Sequence, residues 1–145
     1  MNNVRFTECF LFSRIAPMRP LMLTETDFAN LSLLDSPPLR RRLARAKRVW
    51  SDAMPADVVT MNSRVVCSDA VSGERSVQSV VYPEDADAEA GRFSVLTAAG
   101  MALLGPSVGQ TIEWDEPGGT ARRLRVEALL YQPEQDLRAK LIFSI

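Results

Sequence analysis

The side chains able to do chemistry fall into two clusters of opposite sign. Arg40, Arg41, Arg42, Arg45, Lys47 and Arg48 crowd a run in which nothing between Ser36 and Ser51 is acidic. Glu84, Asp85, Asp87 and Glu89 crowd another, just after Pro83. A basic run suits phosphates or an acidic patch on a partner, or is simply a solvated helix face. The acidic run offers hard oxygens to a cation, but it lacks the spacing and central glycine of an EF-hand loop, so no metal is expected there. Histidine is absent from the chain. That removes phosphohistidine transfer and Ser–His or Cys–His nucleophiles. No GxxxxGK[ST] loop is present to cradle a nucleotide's phosphates. Cys9 and Cys67 form no ligand-like pair, which argues against a disulfide framework and a structural zinc. No cofactor is expected, and the residues point to binding rather than catalysis.

These clusters must be carried by a domain of ordinary size. The chain has 145 residues, 46% hydrophobic and 24% charged, which suffices for a buried core without staples. Its formal net charge is −1 and its pI about 5.5, so there is no basic surplus to drive nucleic-acid binding by charge alone. No run reaches the roughly 18 apolar residues of a membrane helix. Glu8 interrupts the short apolar start and no cleavage site follows, so a signal peptide is not expected and a cytoplasmic location is.

Four segments follow from the pattern. Residues 1–22 read as a leader, either disordered or preceding the true start at Met18 or Met22. Residues 23–53 read as a short antiparallel helical hairpin. Thr24 caps a first helix bearing Phe28, Leu31 and Leu34, and Ser36 with Pro37 and Pro38 opens a second, whose Leu39, Leu43, Ala46 and Trp50 form one stripe. From Asp57 the period changes to two, predicting a long strand through Cys67, a turn at Ser72-Gly73-Glu74 and a strand over 76–82. Phe93–Leu96 is a short strand. Thr97 caps a helix closed by Gly105 and Pro106. Strands over 111–114 and 122–131 follow, with Leu124, Val126, Ala128 and Leu130 on one face. Residues 54–134 thus make an α+β domain, an antiparallel sheet with one covering helix. The apolar tail 135–145 packs back on the sheet or joins a dimer.

Asp57-Val-Val-Thr-Met-Asn-Ser-Arg-Val65, Val81-Tyr-Pro83, Gly100-Met-Ala-Leu-Leu-Gly105, Val108-Gly-Gln-Thr-Ile-Glu-Trp114, the Pro117-Gly-Gly119 turn, Leu124-Arg-Val126 and Tyr131-Gln-Pro-Glu134 occur in an order that resembles the Rnk family (regulator of nucleoside diphosphate kinase). The main domain of that family is similar to the C-terminal domain of the transcript-cleavage factors GreA and GreB. The resemblance implies an FKBP-like domain and docking on RNA polymerase at the rim of the secondary channel, in competition with Gre factors. It implies a contact surface at Thr97, Ala98, Ala99 and Gly100 with Tyr82 and Asp85. The family usually has Pro where Ala98 stands, and an acidic residue near Arg42. Gre factors act through a long coiled coil with an acidic tip that helps hold Mg²⁺. Here the tip, Leu33 to Pro37, offers Asp35 alone, so no cleavage stimulation is expected.

Two other roles compete. Arg41, Arg42, Arg45 and Arg48 could form a secondary contact, making the protein a nucleic-acid or small-ligand binding module. An FKBP-like fold invites prolyl isomerisation, but Tyr82, Phe93, Trp114 and Tyr131 are spaced as core residues rather than as a pocket lining. Asn62 and Ser63 either bond a partner or close a turn within the sheet.

Overall fold

The computed structural model describes residues 20–143. Cys9 and the expected leader as far as residue 19 lie outside the described residues, as do the side chains from residue 139 onward. The elements in chain order are β1 (Met22–Thr24), α1 (Glu25–Ser32), α2 (Pro37–Ala44), β2 (Lys47–Val49), β3 (Arg64–Asp69), β4 (Arg75–Val81), β5 (Arg92–Ser94), α3 (Ala98–Leu103), β6 (Thr111–Asp115), β7 (Ala121–Tyr131) and α4 (Pro133–Phe143). A five-stranded sheet runs β5-β4-β3-β7-β6, and β1 with β2 makes a separate two-stranded one. The large sheet is antiparallel except where β4 meets β5. Helix α3 packs against β4, β5 and β6, so this α+β fold has the covering helix that the pattern predicted.

The two helices begin where their caps predict. Thr24 Oγ1 accepts from the Asp27 amide at 3.2 Å, and Ser36 Oγ from the Leu39 amide at 3.3 Å. The second helix, however, stops at Ala44 rather than near Trp50. Its last turn carries Arg41 and Arg42, which suit a helix C-terminus, whereas further turns would stack Arg41, Arg45 and Arg48 on neighbouring positions. The chain instead turns, and the Lys47 amide donates to Leu21 O at 2.7 Å, starting the parallel pairing of β2 with β1. Leu39 and Leu43 are buried as the stripe requires, while Trp50, beyond the helix, is 78% exposed. The leader boundary also moves. Leu21 is only 8% exposed and joins the core with Leu23, Leu31 and Leu39, and β1 begins at Met22, so both residues belong to the fold.

The predicted strand from Asp57 begins only at Arg64. Val58, Val59, Thr60 and Met61 are all buried, so the alternation of side chains does not correspond to two faces of a sheet. Asn62 sits at φ 67, a left-handed conformation that ends any strand, and its amide donates to Val80 O at 2.8 Å. The Ser63 amide donates to Thr60 O and its hydroxyl accepts from the Thr60 amide, which closes the turn. On β7 the register slips twice: Cys67 faces Val126 but Val66 faces Ala128, then Val65 faces Leu129 but Arg64 faces Tyr131. The bulges at Glu127 and Leu130 turn Leu129 toward the core and leave Leu130 57% exposed, so the expected four-residue face holds only through Val126. The expected apolar tail is the helix α4. Its Arg138 guanidinium donates to Ser51 O at 3.0 Å and Met54 O at 3.1 Å, fastening it to the single-turn helix Ser51–Ala53.

Leu23 is fully buried in this core. Leu23→Ala should therefore cost about 2–5 kcal/mol, read as a shift of the urea midpoint. A loosely attached segment would show no shift.

Candidate functional site

Because β4 and β5 are parallel, the chain leaves both strands at the same end of the sheet. Val81 pairs with Ser94, and the Val95 amide donates to Val81 O at 2.9 Å. Tyr82–Asp85 and Thr97–Gly100 therefore both follow the strands at this one end of the sheet. They do not all face outward. Ala98 and Asp85 are exposed, together with Leu96, while Ala99 is half-buried. Thr97 is the cap of α3: its hydroxyl accepts from the Gly100 amide at 3.1 Å and donates to Ser94 O at 2.7 Å. Gly100 is buried, and a Cβ there would stand 2.0 Å from Ser94 O, so the glycine lets α3 lie against β5.

Tyr82 looks inward, toward the hairpin. Its hydroxyl donates to Asp27 Oδ1 at 2.7 Å, joining the end of β4 to the first turn of α1. Burial and the Asp27 carboxylate push the Tyr82 phenol well above its usual range, so it stays a donor. Burial likewise raises Asp27, against the lowering effect of its bonds to Tyr82 and Thr24. A second buried carboxyl, Glu134, accepts from Thr60 Oγ1 at 2.7 Å and is also raised, chiefly by desolvation. Beside it Gln132 Nε2 donates to both Pro55 O and Val58 O at 2.8 Å. The sequence reading missed both roles. The signal was there in the polar Gln132 and Glu134 flanking Pro133, where a strand end would ordinarily meet water.

The basic cluster does not form one face, which corrects the expected secondary contact. Arg42 turns into the protein, where its guanidinium donates to Met101 O and, at 2.9 Å, to Leu104 O. These are the carbonyls that α3 leaves open at its C-terminus, so a cation there is doubly favoured. Burial lowers the Arg42 pKa, but the two carbonyls hold the charge. Gly105 sits at φ +107 with Leu21 and Arg42 close by, which explains the glycine that ends this motif. Arg48 lies on β2, 3.5 Å from Glu25 and 4.2 Å over the Phe28 ring. Arg40, Arg41, Arg45 and Lys47 are exposed, and Arg41 and Arg45 line a shallow notch with Pro38, Ala44 and the edge of Arg42. Among the other candidates, Cys67 is buried with its thiol pushed up to about 11 by desolvation and then by Glu127, which leaves it a poor nucleophile. Tyr131 is not a core residue. It lines a groove on the outer face of the sheet, with the Arg64 guanidinium 5.5 Å from its ring centre. Among the described residues no His, Cys, Asp and Glu group has the geometry to hold a metal, and no helix is long and apolar enough to cross a membrane.

Arg42→Ala should destabilise the fold by about 1–3 kcal/mol in a urea melt, since it strands two carbonyls. Arg41→Ala and Arg45→Ala should stay within roughly 0.5 kcal/mol of wild type. Asp27 yields a pH prediction. A carboxyl raised in the folded state favours folding fully below its ordinary value of 3.8, and that contribution is lost as pH rises through the folded value. Asp27→Asn keeps an acceptor for Tyr82 without the charge. Its stability relative to wild type should climb with pH above about 4 and level off once Asp27 is ionised. Urea melts from pH 4 to 8 would measure it.

The family model described as transcription elongation factor GreA/GreB, C-terminal, matches residues 54–131. The regulator of nucleoside diphosphate kinase of Escherichia coli strain K12 is 41% identical over 114 residues, spanning 79% of this chain and 82% of that protein. The transcription elongation factor GreA of Rhodospirillum rubrum is 35% identical over 77 residues, 53% of this chain and 49% of that protein. Among solved structures, a prokaryotic transcription elongation factor GreA/GreB from Nitrosomonas europaea is 35% identical, with a TM-score of 0.67 over 79% of this chain and 100% of that one. With its matched domain set behind a short helical hairpin, the chain belongs to the Rnk family, built on the GreA/GreB C-terminal domain.

Proposed function

We propose that this protein is a non-catalytic regulator of transcription that binds RNA polymerase near the secondary channel, competes there with Gre factors and does not stimulate transcript cleavage. The observation that carries this reading is the short hairpin on a GreA/GreB-type domain. Helices α1 and α2 have 8 residues each, or roughly 12 Å of helix. Their connection exposes Leu33 and Asp35, and Asp35 already pairs with Arg40 at 3.4 Å. One carboxylate on so short an arm cannot deliver the clustered oxygen ligands that a catalytic Mg²⁺ needs. What remains is docking, through Asp85, Leu96, Thr97 and Ala98 at the common end of β4 and β5. The relatives are named as a regulator and as elongation factors, which fits a protein without chemistry of its own. A cytoplasmic location follows from that role.

Purified core polymerase, titrated with the protein in the presence and absence of a Gre factor, tests the proposal. Binding that the Gre factor displaces, without added cleavage of a stalled transcript, is the expected result. Absence of binding at micromolar concentration would sink it. Ala98 occupies the first position of α3, where proline is preorganised, and Thr97 before it is already extended at φ −86 and ψ 159. Ala98→Pro should therefore stabilise the fold by roughly 0.4–1 kcal/mol in a urea melt, through lower entropy of the unfolded chain.

A further inference from the structure

The outer face of the large sheet carries a groove of about 640 Å³ that adjoins the proposed docking end, since Asp85 lies on both. Its two ends have opposite chemistry. At one end, Arg64 stands over the Tyr131 ring and, among the described residues, meets no carboxylate. Beside it lies Ser79, only 8% exposed yet lining the groove. Asn62 adds an amide from its left-handed turn. An exposed guanidinium held over a ring, with no carboxylate beside it among the described residues, is open to one from a partner. At the other end stand Glu84, Asp85 and Asp87. Arg92, between the ends, is already committed: its Nε donates to Asp85 O at 3.0 Å and its guanidinium lies 3.6 Å from Asp87.

This geometry points to a protein segment as occupant, one that places a carboxylate on Arg64, Ser79 and Asn62 and a basic side chain on Glu84 and Asp85. Resting on the polymerase reading above, the inference identifies the polymerase element that docks here as one carrying an acidic residue near a basic one. A nucleic-acid strand fits the groove less well, because its phosphates would run past the acidic rim. A guanidinium stacked on an aromatic ring is rigid and forked, which suits bidentate capture of a carboxylate. The opposite charge at the far end fixes the direction in which the segment lies.

The test is the affinity of the full chain for core RNA polymerase, measured for wild type, Arg64→Ala, Arg64→Gln and the pair Glu84→Lys with Asp85→Lys, each checked by thermal melt. Arg64 is exposed, so its variants should melt with wild type. Arg64→Ala should weaken binding about tenfold or more, Arg64→Gln somewhat less, and the double lysine variant should also weaken it. Wild-type binding that all the variants retain within about twofold would overturn the groove while leaving the polymerase reading intact. No binding by wild type would remove both. A single-stranded RNA oligonucleotide serves as the second probe. If Arg64→Ala abolished RNA binding but left polymerase binding unchanged, the occupant would be nucleic acid and the inference wrong.

Discussion

The buried, irregular passage from Pro55 to Ser63 sets the terms for the rest of the molecule. Its apolar side chains fill the core, yet it forms no strand, so its amides and carbonyls must find partners elsewhere. They do so by name. The Val59 amide donates to Pro106 O, Val59 O accepts from Gly105, and Asp57 O accepts from Val108, which ties the passage to the loop after α3. Gln132 takes Pro55 O and Val58 O, and Glu134 takes the Thr60 hydroxyl, which ties it to the start of α4. The motifs by which the chain resembles its family are therefore largely the two sides of these contacts. They mark packing and polar satisfaction in the interior more than a binding surface.

The hairpin is attached by the same kind of contact. Arg42 closes the open end of α3, Tyr82 holds the first turn of α1, and Leu21, Leu23, Leu31 and Leu39 enter the shared core. Two of the residues that a reader would most readily assign to a partner, Arg42 and Tyr82, are used up inside the protein. The docking site proposed above is smaller and lies at one end of the sheet, and its position follows from a single parallel pairing between β4 and β5.

Much of this was legible in the sequence, and the rest failed for identifiable reasons. The caps at Thr24, Ser36 and Thr97 are local and were read correctly, since each depends on a hydroxyl and the next three residues. The second helix was read too long because Ala46 and Trp50 continue its stripe, while the pairing that ends it comes from distant Leu21. Alternation in Asp57–Ser63 suggested a strand, but both sets of side chains are buried, and period alone does not distinguish that case. Leu130 was placed on the wrong face because a bulge shifts phase without leaving a mark such as glycine. Helix α4 went unread although Pro133, Glu134 and Asp136 form a fair helix start. The groove lay beyond reach altogether, since Asn62, Arg64, Ser79 and Tyr131 meet only once the sheet is formed.

The placement of the clamps has a consequence for how such proteins diversify. Arg42, Asp27 and the buried leucines all hold the helices where they meet the sheet domain, whereas the connection exposes Leu33, 83% accessible, and Asp35, with only Leu34 turned to the core. Residues inserted at that connection would disturb none of the bonds that seat the hairpin, and lengthening an exposed loop adds little entropy cost. The joint is fixed by these contacts while the arm is free to grow. A long-armed and a short-armed protein can thus share one socket and differ only in how far they reach.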